Sequence, residues 1–529
     1  MITAGSFLNN EEFTDRYGLV LIVLIGILLS VINIIRIPYC VEDAYITFRY
    51  SGRFAEGNGL TYNDGEKVLG TTTPLYALLL GILGWITSPA SIPMISRILG
   101  VIGFLSSALL IYFIIKRLTS SPAAAFIGGL VYAAYPPSVA SATGGMEVAF
   151  FQVFLLLSLF FMLKGRPLAA GILCGIVIGL RPDGLIWAGC LGVITLPNPR
   201  QMLKFIAGNL TILLPLIIGL AIYYGNPLPH SITAKRISYG PNYSFDYDNL
   251  INVLRIFLPV PLWNFHALII IIWFLVFASV VLSVRKALKE SDYGIFPFAL
   301  FAVLYPSFLF YGRTLMFQWY GFIMLPMIVI VLLYAAHSLR DNFKNHWIER
   351  HKFSLITAGL TLFIIIGFWR VTFHTSDSGF TGLVDLEERG MYFRDNLPED
   401  ASIMLEPLGI IGYECGRNLI CEIGLVSPEV TRIKRQYGEN LGNDSGWYFE
   451  ALRELKPDYL LLRAPNFYYN QLYPYDTEFF RNEQDSIEFY GSYRRITIPD
   501  SLWKEKYPGI QRHWFYLFER KPSRPDTVG

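Results

Sequence analysis

From Tyr17 to about residue 372 the sequence keeps returning to uncharged apolar runs, and a chain built this way needs lipid as part of its solvent. In lipid every backbone polar group must be satisfied within the protein, so the runs are expected to be helices. Window reasoning draws them at about 17–38, 92–115, 122–137, 146–163, 167–180, 183–197, 203–224, 265–284, 293–311, 314–337 and 353–372, about eleven spans. The piece from Pro74 to Ile86 is short for a crossing and reads as lying in the interface. The composition agrees, with 53% of the 529 residues hydrophobic and 16% charged. The first run lacks a basic leader and a cleavage site and is too long for a signal core, so it reads as a retained span.

Basic residues set the orientation, because cytoplasmic loops retain Lys and Arg. Lys116-Arg117, Lys164 with Arg166, Arg200 with Lys204, Arg285-Lys286 with Lys289, and the cluster from Arg340 to Lys352 all fall on one side of this drawing. Counting Pro74 to Ile86 as a crossing would scatter them. The other side receives an outer loop at 40–91, residues 138–145, Arg181 to Asp183, the loop 225–264, Arg313, and everything after about Phe373. Two domains follow: a membrane domain over 1–374 and a tail over 375–529.

In the tail, Ser402 to Leu405, Asn418 to Cys421 and Asp458 to Arg463 read as strands. Pro428 to Tyr437 and Gly446 to Leu455 read as amphipathic helices. The alternation predicts a small α/β domain with a partly parallel sheet, and the aromatic segments 467–475 and 513–518 are assigned to its core rather than to a sugar-stacking surface. No G-x-G-x-x-G turn proposes a nucleotide site, and a net charge of +2 gives no reason to expect a nucleic-acid partner. The five cysteines show no metal-ligand spacing; Cys415 and Cys421 are the two that an extracytoplasmic tail would allow to pair.

The outer face gathers ionisable residues beside Gly and Pro: Glu42, Asp43, Arg49, Glu147, Arg181, Asp183, His230, Lys235 and Arg236. Such groups at span ends are costly unless they face a wet cavity or one another, so their concentration predicts a polar chamber opening outward. Arg53 and Arg313 are explained by snorkelling alone. Asp43, opening a helix after the first span, is the candidate general base. Glu42 beside it orients an acceptor in one reading; in the other, both acids cap the helix. Lys235 and Arg236 suit a phosphate, with Arg181 next; Arg181-Pro182-Asp183 is equally a turn with a local ion pair. His230 reads as a phosphate or sugar contact or as structural.

The blocks Glu42 to Tyr50, Ala55 to Asn63 and Gly70-Thr71-Thr72-Thr73-Pro74-Leu75, with Gly145-Met146-Glu147, Arg181-Pro182-Asp183-Gly184 and Tyr223 to Pro229 followed by Ala234-Lys235, resemble membrane glycosyltransferases of the GT-C fold. The closest likeness is to the terminal arabinofuranosyltransferases. In the tail, Gly409-Ile410-Ile411-Gly412-Tyr413 and Leu455-Lys456-Pro457-Asp458-Tyr459 resemble the extracytoplasmic domain of such enzymes. Departures are Glu42 where relatives often have Asp, Thr71 where an aromatic is common, and His230 where Asn is common.

The resemblance implies a polytopic α-helical membrane protein, GT-C-like, with a C-terminal extracytoplasmic α/β domain in a bacterial inner membrane. It implies inverting transfer of an arabinofuranose-like or hexose sugar from a polyprenyl-phosphate donor to a glycan or lipid acceptor. Catalysis would then fall to Asp43 and Glu42, the donor phosphate to Lys235, Arg236 and Arg181, and substrate contacts to Arg49, Glu147, Asp183 and His230. No cofactor is required, although Glu42, Asp43 and Glu147 together would suit Mg²⁺ or Ca²⁺ better than a softer metal. The rival readings are a transporter or flippase of a lipid-linked saccharide, which should show broken midplane spans in related halves, and a wall-polysaccharide-binding subunit without catalysis.

Overall fold

The computed structural model describes residues 14–240, 247–256, 265–312, 317–339, 359, 377–437, 446–463, 480, 482–496 and 515–522. The helices before the tail are α1 (Leu19–Arg36), α2 (Glu42–Ala55), α3 (Pro74–Ile86), α4 (Ile92–Thr119), α5 (Pro122–Ala134), α6 (Pro136–Thr143), α7 (Val148–Leu163), α8 (Pro167–Leu180) and α9 (Gly184–Gly192). They continue as α10 (Pro199–Tyr224), α11 (His230–Tyr239), α12 (Tyr247–Arg255), α13 (His266–Glu290), α14 (Phe296–Tyr311), α15 (Gln318–Phe322) and α16 (Leu325–Leu339).

Among the described residues six helices are long and apolar enough to cross a membrane: Arg16–Arg36, Pro89–Thr119, Pro199–Tyr224, His266–Glu290, Tyr293–Tyr311 and Gln318–Leu339. A seventh crossing results if α5 and α6, bent by 57°, count as one. The bend falls at Tyr135, which is extended because Pro136 disfavours a helical residue before it. The chain is a multi-pass membrane protein, with fewer full-length crossings here than the eleven expected. The stretches expected at 146–163, 167–180 and 183–197 form α7, α8 and α9, of 16, 14 and 9 residues. At 1.5 Å per residue none reaches the roughly 30 Å of a hydrocarbon core. Hydropathy windows run across the turns at Gly165 and at Arg181-Pro182, where the helices end. The span drawn at 353–372 and Arg313 lie outside the described residues, and α3 is a 13-residue helix, short of a crossing.

Small residues let the helices touch. A Cβ on Gly171 of α8 would sit 2.1 Å from the Phe205 carbonyl oxygen of α10, and one on Gly208 would sit 2.3 Å from the Leu168 oxygen. Backbones therefore meet directly, as small residues permit between membrane helices. The outer faces of α10 and α13 leave Leu203, Ile218, Ile222, Ile270 and Phe274 exposed, a surface for lipid. Between α12, α13 and α14 lies an apolar cavity of about 290 Å³ lined by Val253, Trp273, Phe277, Ala302 and Phe310 among others.

The tail opens with α17 (Asp377–Asn396), then β1 (Ser402–Leu405), α18 (Gly409–Cys415), β2 (Asn418–Cys421), α19 (Pro428–Tyr437), α20 (Gly446–Leu455), β3 (Tyr459–Arg463), α21 (Glu483–Ser492), β4 (Tyr493–Ile496) and β5 (Phe515–Arg520). The sheet order is β2-β1-β3-β5-β4; β1 pairs in parallel with β2 and β3, and β5 runs antiparallel to β3 and β4. This is the partly parallel sheet that the strand-helix alternation predicts. The aromatic segment 467–475 lies outside the described residues, while Phe518 on β5 packs against Phe489 in the domain's core. Cys415 and Cys421 are separate buried thiols, not a disulfide.

The seam between α2 with its following loop and the tail is dense. Arg49 donates Nε to the Tyr62 oxygen at 2.7 Å, Nη1 to the Gly412 oxygen at 2.5 Å and Nη2 to the Arg417 oxygen at 2.7 Å. Tyr62 donates to the Leu408 oxygen at 2.5 Å. Asn63 accepts from Leu419 N–H at 3.0 Å and donates to its oxygen at 2.9 Å, closing the outer edge of β2 as a neighbouring strand would. A Cβ on Gly412 would fall 1.9 Å from the Tyr62 hydroxyl. Gly412→Ala should therefore lower stability by about 1–3 kcal/mol, as overpacking does, read as an earlier thermal midpoint of the purified full chain in detergent.

Candidate functional site

Val41 N–H donates to the Gly144 oxygen at 2.9 Å, which sets the start of α2 beside the turn leading to Glu147. Gly145 takes φ +80° there, and a Cβ on it would meet the Cys40 sulfur at 2.6 Å. Glu42 and Asp43 occupy the first turn of α2, and neither caps that helix. Glu42 instead accepts from Gly409 N–H, the first residue of α18 in the tail, at 2.5 Å. Burial, then the Asp43 and Glu406 carboxylates, push the Glu42 carboxyl well above the usual range. These surroundings favour the protonated form of Glu42.

Glu406 follows the last residue of β1, at the carboxyl edge of the parallel strands where open α/β sheets bind ligands. It also borders Tyr239, the last residue of α11. The Tyr239 hydroxyl has Glu406, Asp43, Cys421 and Tyr320 as its ionisable neighbours, and burial with the two acids raises its pKa well above the ordinary tyrosine value. Tyr239 is 7% exposed. Lys235 precedes it by four residues, so the two share a helix face about 6 Å apart along the axis. Lys235 is half-buried, its Nζ 5.6 Å from the Phe317 ring centroid. Arg236 is exposed. Among the described residues neither cation forms an ion pair.

Beyond Tyr320 sits a second cluster. Arg181, 6% exposed, donates Nη1 to Glu147 at 2.5 Å, and Nε and Nη2 to Asp183 at 3.0 Å each. Tyr305 donates to the same Asp183 at 2.9 Å, and the Arg181 guanidinium lies 5.4 Å from the Tyr320 ring. This is the local ion pair that the Arg-Pro-Asp turn allows, enlarged by Glu147. With two carboxylates already on it, Arg181 is less suited to a leaving phosphate than Lys235 is.

Two further expected contacts lie in the seam. Arg49, expected to touch substrate, is 5% exposed and committed to three backbone carbonyls. His230 opens α11, its ring nitrogen Nε2 3.1 Å from the Thr431 hydroxyl of α19, and burial lowers its pKa. Both join the membrane domain to the tail, a role invisible when the tail's position is unknown. Ser238 adds to this join by donating to the Ile423 oxygen at 2.9 Å and accepting from the Lys434 ammonium at 3.0 Å. Burial pulls Lys434 down to about 8.

Among the described residues no three His, Cys, Asp or Glu side chains are arranged to hold a metal ion. Glu147, the third carboxylate expected to join Glu42 and Asp43 around Mg²⁺ or Ca²⁺, faces Arg181 instead. The expected donor set, with Glu147 held by Arg181, does not fit a cation. The sequence reading misses Tyr239, Tyr320, Tyr305 and Glu406. Tyr239 was recoverable from its spacing of four after Lys235; nothing in the sequence brings Glu406 to Asp43.

A family described as a domain of unknown function, DUF8728, matches residues 380–512. The chain is 26% identical over 220 residues to the terminal beta-(1->2)-arabinofuranosyltransferase of Mycobacterium tuberculosis (strain ATCC 25618 / H37Rv), a match covering 37% of this chain. The chain thus spans about a third, 32%, of the length of that curated relative. The crystal structure of ArnT from Cupriavidus metallidurans in the apo state superposes with a TM-score of 0.54 at 13% identity, over 95% of this chain and 97% of that one. The fold is GT-C-like over nearly the whole chain, and the sequence is similar to a terminal arabinofuranosyltransferase.

Proposed function

We propose that this chain is an inverting glycosyltransferase that moves a sugar from a polyprenyl-phosphate donor to a hydroxyl of a cell-envelope glycan or lipid. The observation carrying this reading is that Asp43 is among the ionisable neighbours of Tyr239, one turn after Lys235 on α11, a cation that forms no ion pair among the described residues. The acceptor oxygen attacks the anomeric carbon and the bond from that carbon to the phosphate oxygen breaks. The hydroxyl proton passes to Asp43, and polyprenyl phosphate leaves as an anion beside Lys235. Glu42, already favouring its protonated form, does not compete for that proton. The apolar cavity beside Trp273 and Phe277 suits a stretch of isoprenoid chain. Similarity to an arabinofuranosyltransferase favours a furanosyl donor over a hexosyl one.

The topology that goes with this reading is a multi-pass arrangement in a bacterial inner membrane, with 1–374 as the catalytic domain and 375–529 outside the cytoplasm. Its support is the length of α4, 28 residues or about 42 Å. The turn before α4 meets the tail at Pro89, whose oxygen lies 3.5 Å from the Tyr413 hydroxyl, and Lys116 and Arg117 stand in the last turn at the far end. Basic residues belong on the cytoplasmic side.

The test is purified protein with a synthetic polyprenyl-phosphoryl sugar and an oligosaccharide acceptor. Release of polyprenyl phosphate with extension of the acceptor is expected; no transfer from any such donor would refute the reading. Lys235→Ala should raise the KM for donor about tenfold or more while leaving the acceptor KM within about twofold; an equal rise in both would remove Lys235 from the phosphate.

A further inference from the structure

We propose that the tail positions the donor-binding cation: it grips α11 through Ser238 and His230, two positioning residues that act by fixing where Lys235 stands. This rests on the transferase reading given above, in which the Lys235 ammonium faces the leaving phosphate. α11 has ten residues, about 15 Å of helix, and moves as a short rod. The tail holds both of its ends. At the first residue the His230 ring nitrogen Nε2 lies 3.1 Å from the Thr431 hydroxyl of α19, and at the last but one the Ser238 hydroxyl donates to the Ile423 oxygen at 2.9 Å. Between them Ile237 packs against the tail's own core of Val430, Ile433 and Trp447.

The tail side of each bond is itself fixed. The Thr431 hydroxyl donates to the Gly424 oxygen at 3.2 Å, which leaves its lone pairs to accept from the His230 ring, and Ile423 and Gly424 follow β2 directly. Lys434, three residues after Thr431 on α19, donates Nζ to the Ser238 hydroxyl at 3.0 Å and lies 4.0 Å from the Trp447 ring centroid. Lys434 is 3% exposed. A shift of α11 would therefore take an acceptor from a buried ammonium, which costs more than losing a bond between neutral groups.

The grip matters to Lys235 because of where it sits on the rod. Ser231, Ala234 and Ser238 are buried, Ile232, Thr233 and Arg236 are exposed, and Lys235 lies half-buried between the two faces, three residues from Ser238 and its neighbour on the helix. Among the described residues Lys235 forms no ion pair, so its place is set by the backbone beneath it rather than by an opposite charge. Rotation of α11 by a single residue, about 100°, would turn the ammonium away. The membrane domain supplies the reference point. His230 N–H donates to the Leu69 oxygen at 2.8 Å, and shortly after Leu69 the Thr71 and Thr73 hydroxyls each lie 3.3 Å from that of Thr47, one turn beyond Asp43 on α2. The tail thus holds the cation against the frame that carries the base.

The experiment separates binding from turnover. The full chain in lipid nanodiscs is titrated with polyprenyl phosphate, the product anion, and transfer from the synthetic donor is assayed in parallel. Ser238→Ala and Thr431→Val, one on each side of the joint, should each weaken polyprenyl phosphate binding and raise the donor KM about fivefold or more, with the acceptor KM within about twofold. Thr431→Ser, which keeps the hydroxyl, should bind as wild type does. Added to Lys235→Ala, the first two substitutions should change binding by less than about twofold, because they act through the ammonium already removed. Losses that multiply in the double variants, or binding unchanged in both single variants, overturn the proposal, and sugar transfer by wild type then leaves the transferase reading intact. Donor and acceptor weakened alike, with Thr431→Ser as impaired as Thr431→Val, is loss of packing and also overturns it. The stated binding pattern with no transfer from any polyprenyl-phosphoryl sugar sinks the transferase reading and leaves the positioning role standing.

Discussion

Asp43→Asn is expected to abolish sugar transfer, lowering turnover by at least about a hundredfold while the protein remains folded and monodisperse. Removal of a general base typically costs a factor of this size or more. The amide keeps the shape of the carboxylate and loses only its capacity to take a proton. Glu42→Gln should behave differently, staying within about tenfold of wild type. Burial, Asp43 and Glu406 already favour a proton on Glu42, and a glutamine imitates that neutral form: its oxygen still accepts from Gly409 N–H and its amide still faces Asp43. Steady-state assay of the two variants side by side decides the assignment. Full turnover in Asp43→Asn, or a deeper loss in Glu42→Gln than in Asp43→Asn, would transfer the base role away from Asp43.

The second large effect concerns stability. Arg181→Ala strips the buried carboxylates of Glu147 and Asp183 of their shared counter-ion, with Tyr305 still donating to Asp183. Breaking a buried ion pair from one side typically costs about 3–5 kcal/mol, because the other charge is left without compensation. The thermal midpoint in detergent should fall accordingly. Arg181→Lys should recover only part of the loss, since an ammonium cannot reproduce two donors to Asp183 together with one to Glu147. If Arg181→Ala keeps the wild-type midpoint and instead raises only the donor KM, the cluster is a phosphate site and not a strut.

The first outer block was legible in the sequence for its chemistry and less so for its architecture. Acids at the mouth of an apolar helix demand a wet or paired setting, which identified Glu42 and Asp43 as residues of interest. The same logic treated Arg49 as a ligand contact and left His230 between a ligand contact and a structural role; their partners are backbone oxygens and a threonine hydroxyl of the tail. Hydropathy locates charge relative to lipid; it carries no information on which outer segment lies against which. The tail strands were legible because alternation is local, and Glu406 was not, because its meeting with Asp43 depends on docking. The helices α7, α8 and α9 show the same limit: apolar windows register composition, while the turns at Gly165 and Arg181-Pro182 decide length.

The seam has a consequence for how such proteins diverge. Arg49, Tyr62 and Asn63 grip the main chain of Leu408, Gly412, Arg417 and Leu419, and Glu42 grips that of Gly409. Main-chain atoms are the same whatever residue bears them. Mutational drift in the tail can therefore run far before docking fails, provided Gly409 and Gly412 stay small, and two homologues can keep one joint while their outer modules share almost no side chains.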